Sequence, residues 1–548
     1  MAPLHRVELV PDDEPAPGGR GTPAEGAPGR AAPARRRTLL ARVGAPLLAL
    51  AVAIGAVGSW RATTTEQARL ARPGAVRSLA MPPTPAWSAD AAAPRVVVVD
   101  DVVVTVTAAG VEGRDAASGA RRWLALDATA TCGPTPDESA GPVTDVLVCV
   151  TGPALAPVAH VVGPDGPVTG PVPLGDTLGR AVPAPDGTVL RWARTGGVVH
   201  LALQDARTAR VRWRRDVPPD DAERTPMCRP QVAGQAAATV EDGLLVVRGC
   251  RVSAVLTAAG TRIDAPGPAV TTDVVPLPDG TFLRTRVLPP GRGATTELVA
   301  PDAAMLDAVD GRLLRPLVGP EDDAAPWLVA TGDGVRALAA ADGSGDGLRE
   351  RWRLAQPVTQ VVALTADRAV VVTGERVVAL DACSGEPVWS WPRSSPADRR
   401  AAPGVGTAPG GTTTTADDGT GTTGVRVDLT RGVAAAFTDG ATLALVVPDG
   451  SSRRSRTVAL SLEDGDVRWD VVGDGDPSGF TALAGYVGHV DAGSSRVVVL
   501  ERRPRGRSRP HARSRPRARG RRGREPVGRP AQPSGPPDRG EGGRRAEA

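Results

Sequence analysis

The 548-residue chain has no lysine and no asparagine, a single tyrosine, Tyr486, and only three phenylalanines. Each shortage excludes something. Without lysine there is no Schiff-base amine and no phosphate-cradling P-loop lysine, and without asparagine no N-glycosylation acceptor. With so few Phe and Tyr, Val, Leu and Ala must fill any core, with ten Trp as the large anchors. All 65 basic residues are Arg, a bias expected of GC-rich coding such as that of high-GC actinobacteria. The five histidines, His5, His160, His200, His489 and His511, are scattered and lack zinc-ligand spacing. No Gly-x-Ser-x-Gly elbow occurs. The G-x-G-x-x-G match at 419–424 lies in a Thr/Gly stretch with no strand before it, so it does not read as a dinucleotide loop. Acidic pairs such as Asp100-Asp101 and Glu463-Asp464 fit solvated turns better than a metal site, and the same holds for Asp474 and Asp476. Nothing here points to an enzyme, a metal or a cofactor.

Charge is unevenly spread. Residues 502–548 hold 16 Arg against four acids, so the net charge of +4 conceals an acidic body and a basic tail. The tail has no aromatic residue on which a base could stack, which argues against nucleic acid as its partner. It reads as disordered, with loose affinity for anionic polymer or lipid as a weaker alternative. An altered reading frame is a third, because composition changes abruptly at Arg502.

One stretch reads as membrane-spanning. Residues 43–59 carry no charge, and flanking apolar residues extend them to the 20 or so that a spanning helix requires. Arg35, Arg36, Arg37 and Arg42 precede the stretch and Arg61 alone follows closely, so the N-terminus is expected inside and the body outside. A cleaved signal peptide is the alternative, since Arg36-Arg37-Thr38-Leu39-Leu40 faintly resembles a twin-arginine signal. Both readings export the body. The expected organisation is a disordered cytoplasmic tail (1–37), a transmembrane helix (38–60), a juxtamembrane linker (61–84), an all-β body (85–501) containing a disordered loop (401–424), and a disordered tail (502–548). Such a chain would sit in the cell membrane as a single-pass protein.

The body repeats. Windows 113–123 (GRDAASGARRW), 379–389 (ALDACSGEPVW) and 459–469 (ALSLEDGDVRW) align without gaps. Window 203–213 joins them with Ala209 in the glycine position, and 305–315 keeps Asp and Gly but places Arg315 where Trp is expected. The 337–343 segment starts alike and reaches Trp352 after an insertion. The pattern predicts an alternating strand, a tight turn needing φ > 0 at Gly119, Gly385 and Gly465, and a returning strand whose Trp (Trp123, Trp213, Trp352, Trp389, Trp469) packs between layers. Short strands at regular spacing, about four to a repeat of roughly 40–50 residues, predict propeller blades. Eight turn positions, at 119, 166, 209, 260, 311, 343, 385 and 465, predict an all-β propeller of about eight four-stranded blades, seven being possible. A different antiparallel β-fold is the alternative. The last strand, 496–500, lacks a returning partner, while Trp87 near the start lacks a strand before it. The segment around Trp87 is therefore expected to pair with 497–500 and close the ring, with a loose juxtamembrane linker as the alternative place for Trp87.

This strand–turn–Trp pattern resembles the tryptophan-docking motif of pyrroloquinoline-quinone-type propellers over roughly residues 87–500. The resemblance implies the scaffold and not the active site. A quinone dehydrogenase of that family would be expected to show vicinal cysteines and Asn ligands for calcium, and this chain has neither. Of its five cysteines, Cys132 and Cys149 fall within one repeat, as do Cys228 and Cys250, and an exported body permits disulfides. Both pairs are candidate staples, with buried free thiols as the alternative, and Cys383 is left over. The expected function is a membrane-anchored extracytoplasmic binding or scaffold module, with an unidentified envelope protein or polymer as partner. An exported enzyme with a loop-borne site is the alternative, followed by a sensory ectodomain.

Overall fold

The computed structural model describes residues 64–501 apart from internal stretches, of which 134–145, 220–235 and 393–428 are the longest. Val- and Leu-rich runs broken by Gly-containing turns form strands, as β-branched residues favour on a pleated, half-buried surface, and these pair antiparallel except that Pro316–Val318 runs parallel to Gln360–Leu364. The strands assemble into nine sheets. In chain order these are blade 1 (residues 96–125), blade 2 (131–173), blade 3 (180–217), blade 4 (236–256), blade 5 (270–310) and blade 6 (312–354). They continue with blade 7 (360–391, with 316–318 added along its first strand), blade 8 (435–474) and blade 9 (480–501, completed by 84–90).

Nine buried apolar clusters join these sheets, each between a blade and its successor. One runs from Val97 and Val104 of blade 1 to Leu147 and Val162 of blade 2. The series continues round to a cluster in which Leu483 and Val497 of blade 9 meet Val98 and Val103 of blade 1. A sheet must bury both faces, and a row of sheets can do so at its two ends only by returning on itself. The fold is a nine-bladed β-propeller.

Closure uses the first strand in the chain's described residues. Strand Thr84–Asp90 pairs antiparallel with Arg496–Glu501, placing Trp87 opposite Val499. The first and last described strands thus share one sheet, which removes what would otherwise be an unpaired edge at the seam. More of the N-terminal segment is engaged than a linker over 61–84 implies. Residues 64–70 are helical, Ala75 bridges Thr438 of blade 8, and the Arg77 amide donates to the Gly485 carbonyl of blade 9.

The count of nine corrects the expectation of about eight. Eight repeat turns were legible because blade 9 has no turn between its third and fourth strands, which come from opposite ends of the chain. Blades also depart from four strands. Blades 2 and 7 have five, and blade 4 has three among the described residues. The open edge of blade 4, Val252–Leu256, is sealed by the segment that follows. Arg262 donates to the Ser253 carbonyl, Asp264 accepts from the Val255 amide, and the Ile263 amide donates to the Val255 carbonyl. The 305–315 window is corrected too. Gly311 joins the last strand of blade 5 to the first of blade 6, while the turn inside blade 5 is 300–304.

The segments 38–60, 401–424 and 502–548 lie outside the described residues. Among the described residues no helix is long and apolar enough to cross a membrane.

Candidate functional site

Two constellations stand out, one structural and one open to solvent. The structural one is the tryptophan ladder. Trp123, Trp213, Trp352, Trp389 and Trp469 each pair with the residue just before a bulge in the preceding strand, so they occupy equivalent positions in five blades. Each indole N–H reaches a backbone carbonyl outside its own blade. Trp123 donates to Pro164, Trp213 to Ala258, Trp352 to Ala382 and Trp389 to Leu462, at 2.9–3.0 Å. Trp87 does the same to Ala116 across the seam. Trp469 faces blade 9, which has no such turn, and donates instead to the Leu79 carbonyl of the N-terminal segment. That segment therefore supplies both a docking Trp and a docking acceptor.

Gly119, Gly385 and Gly465 adopt φ of 70–73°, and a Cβ on each would lie 2.4–2.7 Å from the Trp ring of the preceding blade. Glycine is required there twice over, by backbone and by contact. Ala209 holds the same conformation, at φ 57°, because blade 2 has no Trp and no ring lies over it. Trp352, Trp389 and Trp469 are buried, whereas Trp87, Trp123 and Trp213 are half-buried, short of the full burial the repeat pattern suggests. At blade 5 the Trp position is filled not by Arg315 but by Asp307, opposite Leu298 before the equivalent bulge. Its carboxylate accepts from the Leu348 amide of blade 6, reversing the direction of the docking hydrogen bond.

Turn carboxylates brace the ladder. Asp115 accepts from the amide and hydroxyl of Ser118 and pairs with Arg122. These hold its carboxyl down to about 2. Asp381 repeats the arrangement with Ser384, and its carboxyl is likewise lowered.

The open constellation is a cleft of about 340 Å³ against the first strands of blades 2, 3 and 4. A hairpin sets its charged wall. Strands Arg180–Ala184 and Thr188–Thr195 join through Pro185-Asp186-Gly187, with Asp186 and Gly187 at φ 55° and 66°. This register puts Arg180 directly opposite Trp192, and the guanidinium lies 5.3 Å from the indole centroid. Val150, Val182 and Ala238 line the cleft, and Pro153, Ala154 and Pro157 form its lip. Leu155, at the tip of that loop, is 68% exposed. The opposite wall, Thr131 and Val150, is pinned one residue away by a disulfide between the cross-strand neighbours Cys132 and Cys149. Cys228 and Cys250 lie outside the described residues, and Cys383 is an exposed free thiol. Near the cleft, His160 bonds Thr151, and burial pushes its imidazole below the ordinary value.

Sequence reasoning did not find Arg180 or Trp192. Nothing in the repeat marks them, because their proximity arises from strand register inside one hairpin. Among the described residues no group of three or more His, Cys, Asp or Glu is placed to hold a metal.

No family model matches the chain, and no curated protein matches it in sequence. Solved structures do share its outline. BamB from Moraxella catarrhalis superposes with a TM-score of 0.36 at 12% identity, over 77% of this chain and all of that one. The dihydro-heme d1 dehydrogenase NirN, solved in complex with DHE, gives 0.31 at 12% identity over 74% and 78%. The Dos1 propeller gives 0.32 at 9% over 76% and 95%. Likenesses this distant carry nothing about ligand or activity. The propeller rests on the strand pairing and the nine junctions themselves.

Proposed function

We propose that this protein is a binding scaffold of the cell envelope, anchored through its N-terminal apolar segment with the propeller outside the cytoplasm. The observation that supports binding most directly is the cleft, where an exposed guanidinium lies over an indole, on a ring fixed at nine junctions. Rigid scaffolds that hold concave surfaces lose little entropy when a ligand docks. An outward location is supported by the Cys132–Cys149 disulfide, since such bonds persist in oxidising compartments, and by the Arg bias ahead of residues 43–59.

The exposed Cys383 thiol gives a test of the location. A membrane-impermeant maleimide applied to intact cells should label the wild-type protein, and the labelling should drop in Cys383→Ser. Labelling of Cys383 only after cell lysis would overturn the outward reading.

A further inference from the structure

We propose that the cleft on blades 2 to 4 recognises a carboxylate carried on an extended apolar peptide segment of a partner protein, with Arg180 as receptor for the anion. The proposal rests on the binding-scaffold reading and narrows it to one surface and one ligand chemistry.

Among the described residues lining the cleft, Arg180 is the only charged side chain. Its guanidinium is exposed and makes no ion pair with a described residue. The guanidinium carbon lies over the Trp192 ring, 5.3 Å from its centroid, and among the described residues no hydrogen bond or ion pair occupies its N–H groups. A planar fork of that kind matches a carboxylate with two parallel hydrogen bonds. One guanidinium balances one negative charge. A phosphate monoester, with a charge near −2 and three acceptor oxygens, calls for a cluster of donors, and the other lining side chains are Thr, Val, Pro, Ala and the Trp itself.

The surroundings suit a peptide. Val150, Val182, Ala181 and Ala238 give part of the wall an apolar face, while Thr129 and Thr131 leave the rest polar. The same wall and the exposed Leu155 offer apolar contact to residues flanking the carboxylate. A volume of about 340 Å³ is at the low end for ligand sites, the scale of a short peptide stretch rather than a large cofactor. Both sides are rigid. Arg180 is held by a cross-strand ladder, and Thr131 sits beside the disulfide.

Acetyl-Leu-Leu with a free C-terminal carboxylate, its C-terminal amide, and acetyl-Leu-Asp-Leu-amide, titrated calorimetrically into the full-length protein, test this. At least one carboxylate probe should bind about tenfold or more tightly than the amide, and which one does so tells a terminal from a side-chain carboxylate. Arg180→Gln should erase that preference and Arg180→Lys should keep part of it, with thermal melts showing both variants folded. Equal binding of acids and amide, or an Arg180→Gln protein that still prefers the acid, overturns the proposal. Such a failure alongside outward labelling of Cys383 would leave the exported-scaffold reading intact. Retained preference with inward Cys383 would sink that reading instead.

Discussion

The junction between blades 7 and 8 and the junction between blades 4 and 5 do the same task with opposite chemistry. At the first, Trp389 is buried over Gly465 and its N–H is satisfied by the Leu462 carbonyl, within a cluster otherwise made of Val, Leu, Ala and a second Trp. At the second no Trp is present. Arg284 and Glu297, 5% and 6% exposed, pair at 2.5 Å on neighbouring strands, Arg286 adds a second contact, and Arg284 donates to the Ile263 carbonyl of blade 4. The other junctions without a ladder Trp also carry buried polar groups beside their apolar clusters. Between blades 2 and 3 the fully buried Arg191 donates to the carbonyls of Leu174 and Gly175. Between blades 5 and 6 the buried Thr285 and Thr296 hydroxyls meet the backbone of 311–313. One large aromatic fills a gap and satisfies a carbonyl at once. Where it is missing, several hydrogen-bonded groups share that work and must all be satisfied together.

The contrast can be broken experimentally. Trp389→Ala should cost the most, about 3–5 kcal/mol, as a buried aromatic replaced by a cavity. Trp213→Ala, at a half-buried position, should cost less, and equilibrium denaturation of the two variants would show it. If both cost the same, burial does not set the ladder's energetics. Glu297→Leu should cost about 3 kcal/mol, because it strands the Arg284 charge in the interior. Adding Arg284→Met should recover most of that loss, since an apolar pair can replace a buried ion pair at little cost. No recovery in the double variant would show that the junction depends on the ion pair itself. Asp307→Ala should cost about 1 kcal/mol, the worth of one docking hydrogen bond. An effect as large as that of Trp389→Ala would mean Asp307 is a full equivalent of the ladder tryptophans.

The smallest effect is a pH dependence. The Asp115 carboxyl sits at about 2 in the folded protein, below its ordinary value near 4. The folded state therefore binds fewer protons than the unfolded one between those values. The stabilisation is fully present above about pH 4 and fades as pH falls toward 2. Because Asp115 is solvated, the loss should be a modest fall in midpoint, and Asp115→Asn should flatten that part of the profile. An unchanged acid limb in the variant would remove Asp115 from the account.

Much of the ladder was legible before any coordinates. Gly119, Gly385 and Gly465 stand out because only glycine fits a left-handed turn under an indole, and Trp87 stands out as a tryptophan without a strand to precede it. The blade count was not legible at the seam, where no turn exists to be counted, and at blade 5 the repeat window falls one strand too late, because an aspartate stands in for Trp. The cleft was not legible at all. Arg180 and Trp192 are 12 positions apart with no motif between them, and only strand register makes them neighbours.

By itself the sequence determined an all-β repeat, the tryptophan positions and the seam, because these depend on local turn chemistry and alternation, which repeat along the chain. Tertiary structure alone decided that there are nine blades, that buried polar groups serve the junctions without a ladder tryptophan, and that an arginine lies over an indole in a cleft. Those outcomes depend on which side chains meet across strands and between sheets, and distance along the chain does not encode that.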